Sequence, residues 1–199
     1  MGMTDSEMDA HDRLTDIIGT LTNLSSTNVV LVGDIMMDRY IHGFADNLNT
    51  RAPVPVLKET RREEAVGAAA HVARGLVSLG LNPCLFGVVG DDSAGVSVLE
   101  YLTEEGVNTD TISIVEGRTT TVKTRLLATR QNLVRDEQLM LRWGIEADEP
   151  MPSGALDAMY EMACEQVEGA AAVILSDYGQ GVVTDEGAAR LIERANAAG

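Results

Sequence analysis

Three short apolar runs constrain this chain more than any other feature. Val29-Val30-Leu31-Val32, Leu85-Phe86-Gly87-Val88-Val89 and Ala171-Ala172-Val173-Ile174-Leu175 show no polar alternation, and they stop at Gly33-Asp34, Gly90-Asp91 and Ser176-Asp177. A strand with one wet face alternates. A run that is apolar at every position needs cover on both faces, as in a parallel sheet between helices.

The intervening stretches supply that cover. Residues 66–79 carry Val66, Ala69, Ala70, Ala73, Leu76 and Val77 on one helical stripe, with Gly80 as the stop signal. Residues 93–105 follow two N-cap candidates, Asp91 and Asp92, and end before Gly106. Residues 153–167 and 185–198 read as two further helices. Near the N-terminus, Leu14, Ile17, Ile18, Leu21 and Leu24 keep helical spacing behind twelve residues expected to fray. Strand–helix alternation predicts an α/β fold with a layered parallel sheet.

Two segments break the rhythm. Residues 38–60 contain Ala52-Pro53-Val54-Pro55-Val56, which no helix accepts and only an edge strand tolerates. Residues 111–143 are rich in Thr, Val and Leu. Both are expected to form a small separate sheet set against the α/β layer. The layer itself then has three strands, or four if 111–115 join it, and keeps an open edge. Residues 1–27 are therefore expected to be a tail and helix, and 28–199 the front part of a larger domain.

Charge narrows the function. Thirty-one acids face 15 bases for a net charge of −16, and Lys58 and Lys123 are the only lysines. Phosphate repels such a chain, which disfavours nonspecific binding to nucleic acid or to an anionic membrane surface. Cys84 and Cys164 lack metal-ligand spacing and read as reduced core thiols, and Met1–Asp12 lacks the basic, apolar character of a signal peptide. A cytoplasmic location is the expectation.

Ligands of doubly wound folds sit beyond the carboxyl ends of the strands, where Asp34, Asp91 and Asp177 fall, with Asp38 four residues after Asp34. Their carboxylates suit sugar hydroxyls or a hydrated metal. Asp91 equally suits a helix cap, the reading favoured here. Gly67-Ala68-Ala69-Ala70-His71 opens the 66–79 stripe with small residues, so a ligand can approach free backbone N–H groups. On that helix His71 stands about 140° from Val66, either on the solvated side or at a ligand. Between Arg118 and Arg142 lie six bases, Arg118, Lys123, Arg125, Arg130, Arg135 and Arg142, against Asp136 and Glu137, a local net charge of +4. Period two places Thr121, Lys123 and Arg125 on one strand face, suited to an anionic ligand or to pairing with acids elsewhere. Neither a Gly-x-x-x-x-Gly-Lys loop nor Gly-x-Gly-x-x-Gly after the first strand is present, which disfavours an NAD-dependent Rossmann enzyme.

The runs Val30-Leu31-Val32-Gly33-Asp34-Ile35-Met36-Met37-Asp38-Arg39-Tyr40, Ala52-Pro53-Val54-Pro55-Val56 and Gly67-Ala68-Ala69-Ala70-His71-Val72-Ala73 together resemble the ribokinase-like (PfkB) carbohydrate kinases. Leu175-Ser176-Asp177-Tyr178-Gly179-Gln180-Gly181 is similar to the heptose 7-phosphate kinase domain of ADP-heptose synthesis enzymes. The resemblance implies an α/β/α kinase with a small β-sheet lid, here about 38–60 and 111–143, and with its C-terminal part missing. It implies ATP and Mg²⁺ as cofactors, a sugar or sugar phosphate as substrate, and a homodimer formed through the lid.

By position, Asp38, Gly67, Ala68, His71, Lys123, Arg125 and Asp177 are the implied substrate-binding residues, and no residue is assigned as a metal ligand. Departures from the family pattern are Ala68 in place of Gly, His71 in place of Asn, Arg51 in place of Glu and Gln180 in place of Lys. The family's Gly-Ala-Gly-Asp motif, which supplies the anion hole and the base, occurs nowhere in residues 1–199, so no catalytic residue is assigned and this chain alone is expected to be inactive. The alternative is a non-catalytic sugar-phosphate-binding or dimerisation module.

Acid excess with scarce lysine also suits a high-salt cytoplasm. The melting temperature is expected to rise between dilute and multimolar KCl, as screening relieves repulsion among the acids. A melting temperature that stays level or falls contradicts that adaptation.

Overall fold

The structure, a computed structural model of the chain, describes residues 13–19, 27–129 and 137–199. Residues 13–19 form helix α1; Leu21 and Leu24 of the expected N-terminal stripe lie outside the described residues. Two four-stranded sheets follow.

The first is parallel, in the order β5 (Ile112–Val115), β4 (Asn82–Gly90), β1 (Asn28–Gly33), β8 (Ala172–Ser176). Its unalternating sequences are explained by two cores. Leu31, Leu85 and Val89 point into one cluster with Ala69, Ala70 and Ala73 of α2 (Ala69–Ser78) and Val98 and Leu102 of α3 (Ser93–Glu104). Val30, Val32, Phe86 and Val88 point the other way, onto Met159, Tyr160 and Ala163 of α4 (Ser153–Gln166) and Leu191 of α5 (Asp185–Ala198). Neighbouring residues of β1 thus serve opposite faces, and a polar residue anywhere in the run would be buried. Cys84 and Cys164 are free, half-buried thiols packed on the second cluster, and burial pushes the Cys84 thiol up.

The second sheet has the order β3 (Pro55–Ala68), β2 (Ile35–Leu48), β6 (Thr121–Thr129), β7 (Gln138–Ile145). Strand β2 pairs antiparallel with β3 and parallel with β6, and β6 pairs antiparallel with β7. Pro55 is the first residue of an edge strand, where its missing N–H costs no ladder bond. The root of one face, through Met37, Val66 and Val122, is buried with α2 and α3 in the first cluster, which fixes this sheet to the layer. The strand tips beyond are exposed.

The fourth-strand alternative for 111–115 holds: β5 joins the parallel sheet beside β4, and the second sheet takes the later part of the 111–143 segment. Two expectations change. Residues 66–68 are strand rather than helix: the β2–β3 ladder runs on through Met36↔Gly67 and Ile35↔Ala68, and α2 starts at Ala69. Asp92, not Asp91, caps α3, its Oδ1 accepting from Gly95 N–H at 2.8 Å, while Asp91 accepts from Gly117 N–H at 2.9 Å and pins the β5–β6 turn. The other Asp92 oxygen accepts from Thr120 N–H at 2.8 Å. Burial alone would raise this carboxyl, but the hydrogen bonds from Gly95, Thr120 and Ala94 hold it below the usual carboxylate range.

Asp34 lies fully buried at the tip of β1, between the sheets. Its carboxylate accepts from three backbone N–H groups after β8: Tyr178 at 2.7 Å, Gln180 at 3.2 Å and Val182 at 3.1 Å. Glycines at 179 and 181, with φ of 73° and 87°, let that segment curl around one acceptor. Asp34→Ala leaves these donors without their acceptor and is expected to cost about 2–4 kcal/mol in urea unfolding; an unchanged midpoint contradicts this role. Ala68 is the one non-glycine residue at positive φ among the described residues, at 53° with ψ −129°. Ala68→Gly is therefore expected to stabilise the chain by about 1 kcal/mol. A lower melting temperature would show that no strain resides there.

Candidate functional site

One face of the second sheet collects most of the expected substrate residues. Asp38 is the register neighbour of Lys123 on β6, and Tyr40 is that of Arg125, so all four side chains stand on the same side. Asp38 and Arg125 form an ion pair, and the Arg125 guanidinium lies 5.0 Å from the centre of the Tyr40 ring. The hydrogen bond to Asp38 raises the Arg125 pKa, against the opposing effect of burial. On the other side of Asp38, a side chain at Gly67 would meet the Asp38 carboxylate at 2.6 Å. Glycine there leaves the carboxylate room over bare backbone, and α2 begins two residues later with no side-chain cap on its first turn.

The sheet face continues onto the loop after β8. Thr121 donates its hydroxyl proton to Gln180 Oε1 at 2.9 Å, and Gln180 Nε2 donates to Glu146 Oε2 at 3.4 Å. The remaining Glu146 oxygen takes the Lys123 ammonium. Lys123 holds the Glu146 carboxyl below its ordinary range more strongly than burial raises it, with smaller contributions from Gln180 and Arg142. Arg118 closes the base, donating to the Gln180 carbonyl at 3.2 Å and to the Glu149 carbonyl at 3.3 Å. Burial lowers the Arg118 pKa, and the nearby Asp34 carboxylate opposes it. A cavity of about 510 Å³ opens beside these groups, bordered by Arg118, Glu146, Met151, Gln180 and Thr184.

Asp38, Gly67, Lys123 and Arg125 therefore share one neighbourhood, and Ala68 lies under it at the strand–helix junction. His71 is exposed on the first turns of α2 and Asp177 is exposed, its carboxylate accepting from Gly179 N–H at 2.8 Å in a local turn. Neither forms a hydrogen bond or ion pair with Asp38, Lys123 or Arg125. Arg51 lies in the exposed turn between β2 and β3. Arg130 and Arg135 of the basic stretch, with Asp136, fall outside the described residues. Sequence reasoning missed Glu146, which sits in an acid-rich run, and gave Arg118 only as one base among six. Among the described residues no group of three or more His, Cys, Asp or Glu is placed to hold a metal ion.

Comparison with known proteins gives the family. The pattern of the "pfkB family carbohydrate kinase" matches residues 26–190. The chain is 35% identical over 186 residues to the bifunctional protein HldE of Paramagnetospirillum magneticum, covering 94% of this chain and 37% of that protein. It is 38% identical over 160 residues to the D-beta-D-heptose 7-phosphate kinase of Bordetella bronchiseptica, covering 80% of this chain and 48% of that protein. The chain thus spans between about a third and a half of the length of these curated relatives.

Among solved structures, phosphofructokinase-2 from Escherichia coli in complex with fructose-6-phosphate superposes with a TM-score of 0.61 at 17% identity, covering 87% of this chain and 52% of that one. Arabidopsis thaliana ribokinase complexed with ribose and ATP gives 0.58 at 18% identity, covering 87% and 51%. These two similarities concern the fold alone, the ribokinase-like α/β architecture expected from the sequence. With the family pattern running from just before β1 into α5, the chain belongs to the pfkB family of carbohydrate kinases.

Proposed function

We propose that this chain is the carbohydrate-holding part of a kinase that transfers the γ-phosphoryl group of ATP to a hydroxyl of a heptose 7-phosphate-like sugar. The observation that carries the reading is the shared face of Asp38, Lys123 and Arg125, with the Asp38 carboxylate seated against the bare backbone of Gly67. Asp38, given room by Gly67, accepts hydrogen bonds from sugar hydroxyls, and the cations of β6 form charge-assisted hydrogen bonds with the anionic end of the substrate. ATP supplies the transferred group and Mg²⁺ neutralises its charge. The described residues offer no clustered donor set for that metal, so no step through it is assigned to them.

The Gly-Ala-Gly-Asp motif is absent from the 199 residues, and with it the proposed anion hole and base. Turnover then requires residues that this chain does not contribute. The outer strand of the second sheet exposes Leu139, Met140, Leu141 and Trp143, which supports a homodimer in which the lids of two copies meet.

Calorimetry and a coupled ATP assay test the proposal together. The chain is expected to bind heptose 7-phosphate but to give no robust ATP turnover with a panel of sugar phosphates. Asp38→Asn is expected to weaken sugar binding about tenfold to a hundredfold, the worth of a charged hydrogen bond. Robust turnover by the chain alone refutes its incompleteness, and unchanged binding by Asp38→Asn refutes the placement of the sugar.

A further inference from the structure

Two cations on the ligand face stand out once their partners are traced. Lys123 is mostly buried, at 18% exposure, yet it faces the ligand side and is neutralised by Glu146, which comes from the segment just after β7. Arg142 is the direct register partner of Arg125 across the β6–β7 ladder. Like charges placed opposite each other in a sheet repel. Asp38 neutralises Arg125, but Arg142 has no ion-pair partner among the described residues and acts on Glu146 only at longer range. Glu63 and Glu137 on the same sheet pair with Arg61 and His42, so of the bases on β6 and β7 it is Arg142 that keeps no ion-pair partner among the described residues.

Glu146 is suited to give way. Its side chain is 45% exposed, its second contact is the long 3.4 Å hydrogen bond from Gln180, and it borders the 510 Å³ cavity, which offers room for the displaced side chain. Gln180 does not depend on Glu146 for its position: Asp34, Thr121 and Arg118 each hold it separately.

We propose that Glu146 is a competing latch: its carboxylate holds the place of the ligand's anionic group on Lys123, and a phosphorylated sugar must displace it whereas a neutral sugar does not. The inference rests on the carbohydrate-binding reading above and adds the residue with which an anionic substrate competes for Lys123. A phosphate dianion meeting Lys123 and Arg142 gains more than one carboxylate does, so it exchanges with Glu146. A neutral sugar offers no replacement charge and meets a closed ion pair.

Titration calorimetry of the whole chain with inorganic phosphate, mannose 6-phosphate and mannose tests this. Glu146→Gln keeps the shape and the hydrogen bond to Gln180 while removing the competing charge. It is expected to tighten phosphate and mannose 6-phosphate binding by about three- to fivefold, the worth of a partly exposed ion pair, and to leave mannose unchanged. Lys123→Met is expected to abolish that gain in the double variant. If Glu146→Gln leaves both anions bound as in the wild type, or weakens all three ligands alike, Glu146 is a sugar contact or a bystander and the latch is wrong. If neither protein binds either anion while both bind mannose, the phosphorylated-substrate reading fails and the latch with it. The thermal melts of both variants, expected within a few degrees of the wild type, show that the comparison is between folded proteins.

Discussion

A single buried carboxylate joins the two halves of this molecule. Asp34 leaves the parallel sheet at the tip of β1, and the next residue begins the second sheet. Its oxygens collect the N–H groups of Tyr178, Gln180 and Val182, so the loop after β8 wraps around the crossing point. Tyr160 fixes the far end of that loop, donating to the Val182 carbonyl at 3.0 Å and accepting from Thr184 N–H at 3.2 Å. A charged acceptor with three donors inside the protein is strong, and losing it strands all three. Gln180 is thereby presented to Thr121 and Glu146, and the face that begins at Asp38 extends onto the α/β layer.

The electrostatics of the face depend on this joint. In a chain of net charge −16, the bases of this face other than Arg142 are set beside fixed acids. Here Asp38 is committed to Arg125 and Glu146 to Lys123, leaving Arg142 without an ion-pair partner among the described residues. Both ion pairs are partly exposed, so neither contributes much to stability. Their consequence is for recognition: they set which charges an incoming sugar meets and which must move.

The layered architecture was legible because two-sided burial leaves an unmistakable record, runs such as Val29–Val32 in which no position tolerates a polar residue. The end of α3 was legible from Gly106. The start of α2 was not. Val66, Gly67 and Ala68 fit a helical stripe as well as a strand end, and the deciding fact is the ladder to β2, a contact about thirty residues distant in sequence. An alanine gives no sign that its φ is positive. Asp91 and Asp92 are adjacent and chemically identical, so only the path of the β5–β6 turn decides which one caps the helix. Asp38, Lys123 and Arg125 could be nominated from strand period and family position, but their mutual placement depends on β2 and β6 being parallel neighbours. Glu146 was invisible for a similar reason, since its partner Lys123 lies 23 residues away across a hairpin.

The central claim is that one ligand face spans both sheets, fastened through Asp34 and Gln180. Amide NMR during a mannose 6-phosphate titration measures this directly. The account predicts that the amides of Gly67, Lys123, Gly144 and Gly181 shift together along one saturation curve. Shifts confined to either sheet alone, or scattered over the exposed face of β7, would contradict it.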